Sequence, residues 1–326
     1  MPYATADQIA ASEIPVIDVG ALSAEDDRGL AEVAAQMRAA AEQAGFFYIR
    51  NHGIAQDLID AVLDLARAFF ADTPENKRSA AINRLHRGFL GIGQATMPGE
   101  THPDLKESFV WGLEVPPDDP DHVAGIPMVG PNNWPRSPAG MADVYNRYFD
   151  QANACGRRLL RAFAVGLGVG PDRFARNFSK PISRGAVIYY PPQPPDLGAA
   201  RFGVGPHTDY GCLTLLYQDA VGGLQVQGRD GRWLTAHPIE GTLVVNVGDL
   251  LARWTNDRFA STPHRVVNAS GQERYSLAVF VDPDWATEVV PVVMPGEEAH
   301  YPPVRAGDYI QSRYDQSFAY RQGQDG

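Results

Sequence analysis

The sequence predicts an α+β protein with a mainly β core, because helix-period and strand-period segments occupy different parts of the chain. Up to about residue 182, apolar residues recur at three- and four-residue spacing. After Gly185 they fall into short runs broken by Gly, Asp and Pro, the pattern of a sandwich or barrel. With 326 residues, 44% of them hydrophobic, the chain has enough apolar material for one large domain or two smaller ones.

The elements follow in order. Ser23-Ala24-Glu25-Asp26 can cap a helix running through Ala44, with Leu30, Val33, Met37 and Ala41 on one stripe and Gly45 at its end. A second helix is expected from Gln56 to Phe70, burying Ile59, Val62, Leu63, Ala66 and Phe70. Pro, Gly and Asp crowd the stretch from Pro116 to Pro138, which suggests a long surface excursion. A longer helix should span Ala139 to about Leu167, with Val144, Tyr148, Ala152, Cys155 and Leu159 facing inward. Strand-like runs then come at Leu213 to Tyr217, Leu224 to Val226, Thr242 to Val247 and Ser276 to Val281. The tail from Arg305 to Tyr320 suits a last helix over one end of the β core.

Composition narrows the function classes. The formal net charge is −11 and no dense Lys/Arg block occurs, which argues against a nucleic-acid or anionic-membrane partner. Two cysteines, Cys155 and Cys212, make no disulfide framework, so a reducing cytoplasmic setting is expected. Cys212 is expected to be a small buried hydrophobe. The first twenty residues lack a basic start followed by an apolar run, and no stretch reaches the roughly 20 apolar residues of a membrane span.

The chemistry concentrates in Gly205-Pro206-His207-Thr208-Asp209-Tyr210, with His264 and Arg274-Tyr275-Ser276 downstream. Two imidazoles and one carboxylate are a complete protein ligand set for a non-haem ferrous ion that keeps one face open. On a strand, residues two apart point to the same side, so His207 and Asp209 can grip one ion together. Arg274 and Ser276 share that spacing and put a guanidinium beside a hydroxyl, a clamp for a carboxylate, while Tyr275 faces the other way.

These residues, with many others in the same order, resemble the isopenicillin N synthase-like, iron(II)- and 2-oxoglutarate-dependent oxygenases. The resemblance includes Ile14-Pro15-Val16-Ile17-Asp18, which looks like the family's opening strand, Gly45-Phe46-Phe47-Tyr48-Ile49, Asn51-His52-Gly53, Phe69-Phe70 ahead of Pro74-Glu75-Asn76-Lys77, Arg87-Gly88-Phe89 and Asp104-Leu105-Lys106-Glu107-Ser108-Phe109. It continues through Tyr189-Tyr190-Pro191-Pro192, Gly222-Gly223-Leu224-Gln225-Val226, Trp233, Asn246-Val247-Gly248-Asp249 and Thr262-Pro263-His264-Arg265-Val266.

The resemblance implies a double-stranded β-helix (jelly roll) with an N-terminal helical region and flanking helices. It divides the chain into residues 1–120 (helices and strands before the core), 121–182 (a loop and the long supporting helix), 183–290 (the jelly roll) and 291–326 (a C-terminal extension). It also implies iron(II) held by His207, Asp209 and His264, with 2-oxoglutarate and O2 as co-substrates. Arg274, Ser276 and Tyr190 would hold the distal carboxylate of the keto acid. Ile188 departs from the family pattern, where an asparagine is frequent. The implied reaction oxidises, most simply hydroxylates, a small molecule with release of succinate and CO2. Two alternatives share these residues: an oxidase of the isopenicillin N synthase type that needs no keto acid, and an iron-loaded small-molecule binder without turnover.

Tyr190, Phe202, Leu215 and Phe280 are candidate pocket walls. Of the other histidines, His52 suits a structural turn. His86, His102, His122 and His300 lie in loop-like sequence where solvated side chains are expected, and His237 precedes Pro238 in a turn. Asp249 could serve as a second acid but better suits a turn after a buried strand; Arg87, Arg184 and Arg201 could each bind an acidic substrate group, with the solvated surface the better expectation for any one of them.

Overall fold

The computed structural model describes residues 6–8, 14–23, 27–97, 100–194, 198 and 201–321. The helical segments form largely where their apolar period places them. Helix α1 (Asp27–Gln43) buries Val33, Met37 and Ala41, as the stripe requires; the expected cap residues Ala24, Glu25 and Asp26 lie outside the described residues. Helix α2 (Gln56–Phe70) buries Leu58, Ile59, Val62, Leu63, Ala66, Phe69 and Phe70, with Asp57 in its first turn and Arg67 in its last, both favourable to the helix dipole. Helix α3 (Pro74–Ser79) is capped by the Thr73 side chain and starts on a proline. The Pro116–Pro138 stretch holds the short α4 (Pro120–Val123) and is not wholly superficial, since Met128 and Val129 enter the core. Helix α5 (Met141–Gly166) buries Tyr148, Ala152, Cys155 and Leu159, leaves Val144 half-buried, and is followed by α6 (Asp172–Ala175), α7 (Asp249–Trp254) and α8 (Ala306–Ser317).

Among the described residues, thirteen strands build two sheets. The larger sheet runs in the order β2 (Val16–Asp18), β3 (Phe46–Arg50), β11 (Thr242–Val247), β8 (Leu213–Gln218), β13 (Arg274–Val281), β6 (Arg184–Tyr190), β5 (Glu107–Gly112) and β4 (Gly88–Leu90). The smaller has the order β1 (Asp7–Gln8), β10 (Trp233–Ala236), β9 (Leu224–Gln227), β12 (His264–Val266) and β7 (Val204–His207). A separate ribbon pairs β14 (Glu288–Val289) with β15 (Val304–Arg305). Half of the larger sheet thus comes from before residue 120, interleaved with helices; β2 falls within the expected opening strand at residues 14–18, whereas local periodicity passes over β3, β4 and β5.

Side-chain alternation gives the larger sheet two jobs. Phe47, Ile49, Leu213, Leu215, Val245, Leu277 and Val279 point outward and join the helices in the main core. Phe46, Tyr48, Tyr190 and Val244 point inward and meet Val204, Leu224, Val226 and Val266 of the smaller sheet. The two inner faces make the interior of a jelly roll, and the candidate site lies there.

The chain passes from α1 into β3 at Gly45, whose φ of +67° suits glycine alone. A Cβ at Gly45 would lie 2.0 Å from the Ala260 carbonyl oxygen. Gly45→Ala should therefore destabilise the fold by about 1–3 kcal/mol, read as a lower denaturation midpoint with an unchanged denaturant slope.

Candidate metal centre

The site starts from a cross-strand pair. His264 on β12 stands directly opposite His207 on β7, with ring centroids 4.3 Å apart. Strand β7 ends at His207, so Asp209 lies in the connection to β8 and not on the strand the two-residue spacing suggested. Its carboxylate still turns back to the imidazoles. Asp209 Oδ2 accepts from the Thr214 hydroxyl and from Asn246 Nδ2 at 2.7 Å. Thr214 and Asn246 are register partners on β8 and β11. That leaves Oδ1 facing inward, 3.7 Å from Nε2 of His207 and 3.7 Å from Nε2 of His264.

Each imidazole is oriented from behind. Nδ1 of His207 lies 2.8 Å from the Gly205 carbonyl oxygen, and Nδ1 of His264 lies 3.2 Å from that of Thr262. Donation from Nδ1 leaves the Nε2 lone pair facing the shared space, the arrangement that metal-ligating histidines use. One potential ligand atom from each of the three residues lies within 4.8 Å of the others, and among the described residues no other such cluster occurs. Burial drives the pKa of His207 down, and the neighbouring His264 adds to the effect, so the ring is held neutral. Burial would raise that of Asp209, but the two imidazoles and the bonds from Asn246 and Thr214 outweigh it and keep the carboxylate ionised. Two neutral nitrogens and one anionic oxygen with open space beyond them fit a ferrous ion.

A cavity of about 90 Å³ extends from these donors. Its walls are mostly apolar and include Phe46, Ile188, Val204, Leu216, Leu224 and Val266. At one end are Arg274 and Ser276, two apart on β13 and on one face as expected; Tyr275 faces the helices and packs 5.1 Å from Tyr189. Arg274 is fully buried. Its Nε donates to the Gly222 carbonyl and its guanidinium carbon sits 4.5 Å over the Tyr190 ring. Nη1 and Nη2 of Arg274 and Oγ of Ser276 are buried without a hydrogen-bond partner among the described residues. A guanidinium and a hydroxyl left unsatisfied side by side make a cradle for a carboxylate. Lys106, just before β5, also lines the cavity and pairs with Asp104 at 3.0 Å.

Several expectations need correcting. Leu215 belongs to the outer core and Leu216 lines the cavity instead, because a one-residue error in strand parity swaps faces. Phe202 lies under the Arg265 guanidinium at 5.4 Å, outside the cavity lining, whereas Tyr190 and Phe280 do line it. His86 is buried against Tyr314, with ring centroids 4.6 Å apart, and contacts the Tyr320 hydroxyl. Arg87 is buried and donates to the carbonyls of Leu85, His86 and Met128, while Arg184 is buried between the rings of Phe280 (4.3 Å) and Tyr314 (4.1 Å). Neither is a surface residue.

Other readings agree with the structure. His52 accepts from the Ile54 amide within its turn, Cys212 is wholly buried, and Asp249 accepts from Thr208, Ser261 and Arg313 at the start of α7. The sequence does not mark Thr214, Asn246 and Lys106 as site residues. The available signal is a polar residue inside an apolar strand run for Thr214 and Asn246; for Lys106 there is none.

Comparison with known proteins agrees with this geometry. Residues 183–283 match the model of the 2OG-Fe(II) oxygenase superfamily, and residues 14–137 match that described as non-haem dioxygenase in morphine synthesis N-terminal. A 2-oxoglutarate-Fe(II) type oxidoreductase of Emericella nidulans is 34% identical, covering 93% of this chain and 90% of the relative. A homoarginine-6-hydroxylase of Glycine max is 33% identical over 86% of this chain and 88% of the relative. The crystal structure of a full-length Neurospora crassa protein in complex with alpha-KG and thymine superposes with a TM-score of 0.82 at 31% identity, covering 92% of this chain and 96% of that one. Among the described residues, no helix is long and apolar enough to cross a membrane. The chain belongs to the isopenicillin N synthase-like branch of the 2-oxoglutarate- and iron(II)-dependent oxygenases, enzymes that use iron(II), 2-oxoglutarate and dioxygen.

Proposed function

We propose that His207, Asp209 and His264 hold the iron and that Arg274, Ser276 and Tyr190 hold 2-oxoglutarate, for the hydroxylation of a small polar metabolite. The observation that carries this reading is the unsatisfied pair Arg274 and Ser276 in the same cavity as the three metal donors. The distal carboxylate of the keto acid would take the free N–H groups of Arg274 and the Ser276 hydroxyl, and the Tyr190 phenol would add a donor. Iron(II) bound by the triad supplies the activation of dioxygen that couples keto-acid decarboxylation to oxidation of a C–H bond. The protein's share is positioning and exclusion of water. Asn246 and Thr214 keep Asp209 Oδ1 on the metal side, and Phe46, Ile188, Leu216 and Val266 keep the reacting centre dry. In this reading residues 183–290 form the catalytic core and the flanking segments support it.

Lys106 supports a substrate with a carbonyl or carboxylate acceptor. Burial works against its charge, but Asp104 outweighs burial and keeps the ammonium protonated beside the cavity. Related proteins are named for homoarginine hydroxylation or crystallised with thymine or JA, and these compounds, taken as jasmonate in the last case, form a first panel to test.

Anaerobic titration of the Fe(II) protein with 2-oxoglutarate should develop a visible metal-to-ligand charge-transfer band. We expect none with His207→Ala and about a hundredfold weaker keto-acid binding with Arg274→Ala, a loss of about 2.7 kcal/mol. A full band in folded His207→Ala would contradict the ligand assignment. Arg274 should also burden the ligand-free fold. Arg274→Met is expected to stabilise the apoprotein by roughly 1–3 kcal/mol in urea unfolding while abolishing stabilisation by added 2-oxoglutarate.

A further inference from the structure

Strand β7 is the outermost strand of the smaller sheet, so among the described residues its outer edge has no strand to satisfy it. The segment leading into β5 takes that place. The Leu105 amide donates to the Phe202 carbonyl at 3.1 Å, and the Gly205 amide donates to Asp104 Oδ1 at 3.0 Å. Asp104 is 3% exposed, and its other oxygen pairs with Lys106 Nζ at 3.0 Å.

Gly205 connects this anchor to the metal centre. Its amide goes to Asp104, and its carbonyl oxygen receives the Nδ1 proton of His207. Glycine supplies little conformational restraint of its own, so the pairing of β7 with β12 and the anchored amide together set where that carbonyl points. A larger residue there would have to displace the Glu100 side chain, because its Cβ would come within 2.7 Å of it. The strand edge thus needs an outside acceptor, and the structure supplies one from a residue distant in sequence.

We propose that Asp104 is a positioning residue for His207: by accepting the Gly205 amide it aims the Gly205 carbonyl at Nδ1, which fixes the tautomer and the direction of Nε2. This rests on the assignment of His207 as a metal ligand. The acceptor oxygen matters more than its charge, so asparagine in the same orientation should do the work that alanine cannot. Support of this kind behind a ligating histidine typically affects metal affinity about 10–100-fold.

The test is Co(II) titration of the apoprotein, followed by visible ligand-field absorption, for wild type, Asp104→Asn, Asp104→Ala and His207→Ala. We expect Asp104→Asn to bind Co(II) within about threefold of wild type with the same spectrum. Asp104→Ala should bind about 10–100-fold more weakly with an altered spectrum. If Asp104→Ala does not fold, Asp104→Leu, which keeps the branched shape and removes the acceptor, carries the same expectation. Wild-type affinity and spectrum in a folded variant without the acceptor would overturn the proposal, provided His207→Ala abolishes the cobalt spectrum. Equal loss in Asp104→Asn and Asp104→Ala would overturn it too, because the charge and not the acceptor would then be the cause. Should His207→Ala itself leave the spectrum unchanged, the ligand assignment fails, and the proposal with it.

Discussion

The register of two short strands governs this molecule's chemistry. His264 and His207 face each other across β12 and β7, and both point into the space between the sheets. Slipping either strand by one residue would send its imidazole to the other face, so the hydrophobic contacts that fix the register also fix the candidate metal donors. The third donor is oriented from the opposite sheet, where Asn246 and Thr214 together hold one oxygen of Asp209. The centre is therefore a joint between two sheets. Its geometry is only as firm as the packing of Phe46, Val204, Leu224 and Val266 around it.

The same interior carries groups that a purely structural core would avoid. Arg274 is wholly buried, with two nitrogens unsatisfied next to an unsatisfied serine hydroxyl. Such an arrangement costs stability in the free protein and would be offset by a bound anion, so under the proposed function folding and co-substrate binding draw on one source of free energy. Lys106 differs, because Asp104 partly compensates its charge before any ligand binds. The two cations on the cavity wall thus differ in how strongly they call for a partner.

Much of this was legible in the sequence, for physical reasons. The stripe Ile59, Val62, Leu63, Ala66 and Phe70 could be buried only by a helix, and α2 has the bounds it implied. The two-residue spacing of Arg274 and Ser276 translated directly into a shared face, because β13 is regular across both. Where regularity ends, the inference weakened: Asp209 lies beyond the end of β7 and reaches the centre through side-chain hydrogen bonds. Parity of β8 was ambiguous because Leu215 and Leu216 are both apolar, and only the neighbouring strands decide which of them faces the cavity. His86, Arg87 and Arg184 looked solvated in loop-like or strand-edge sequence. They are buried by rings from the far C-terminal segment or by backbone carbonyls from a loop, contacts that leave no local trace. Lys106 and Asp104 were hidden likewise, since their role depends on an edge strand that arrives about a hundred residues later.

The most direct measurement is an anaerobic crystal structure of the Fe(II)-loaded protein. Iron should bond to Nε2 of His207, Nε2 of His264 and Oδ1 of Asp209, with Oδ2 still held by Asn246 and Thr214. Iron seated elsewhere, or Asp209 turned away from both imidazoles, would contradict the ligand assignment.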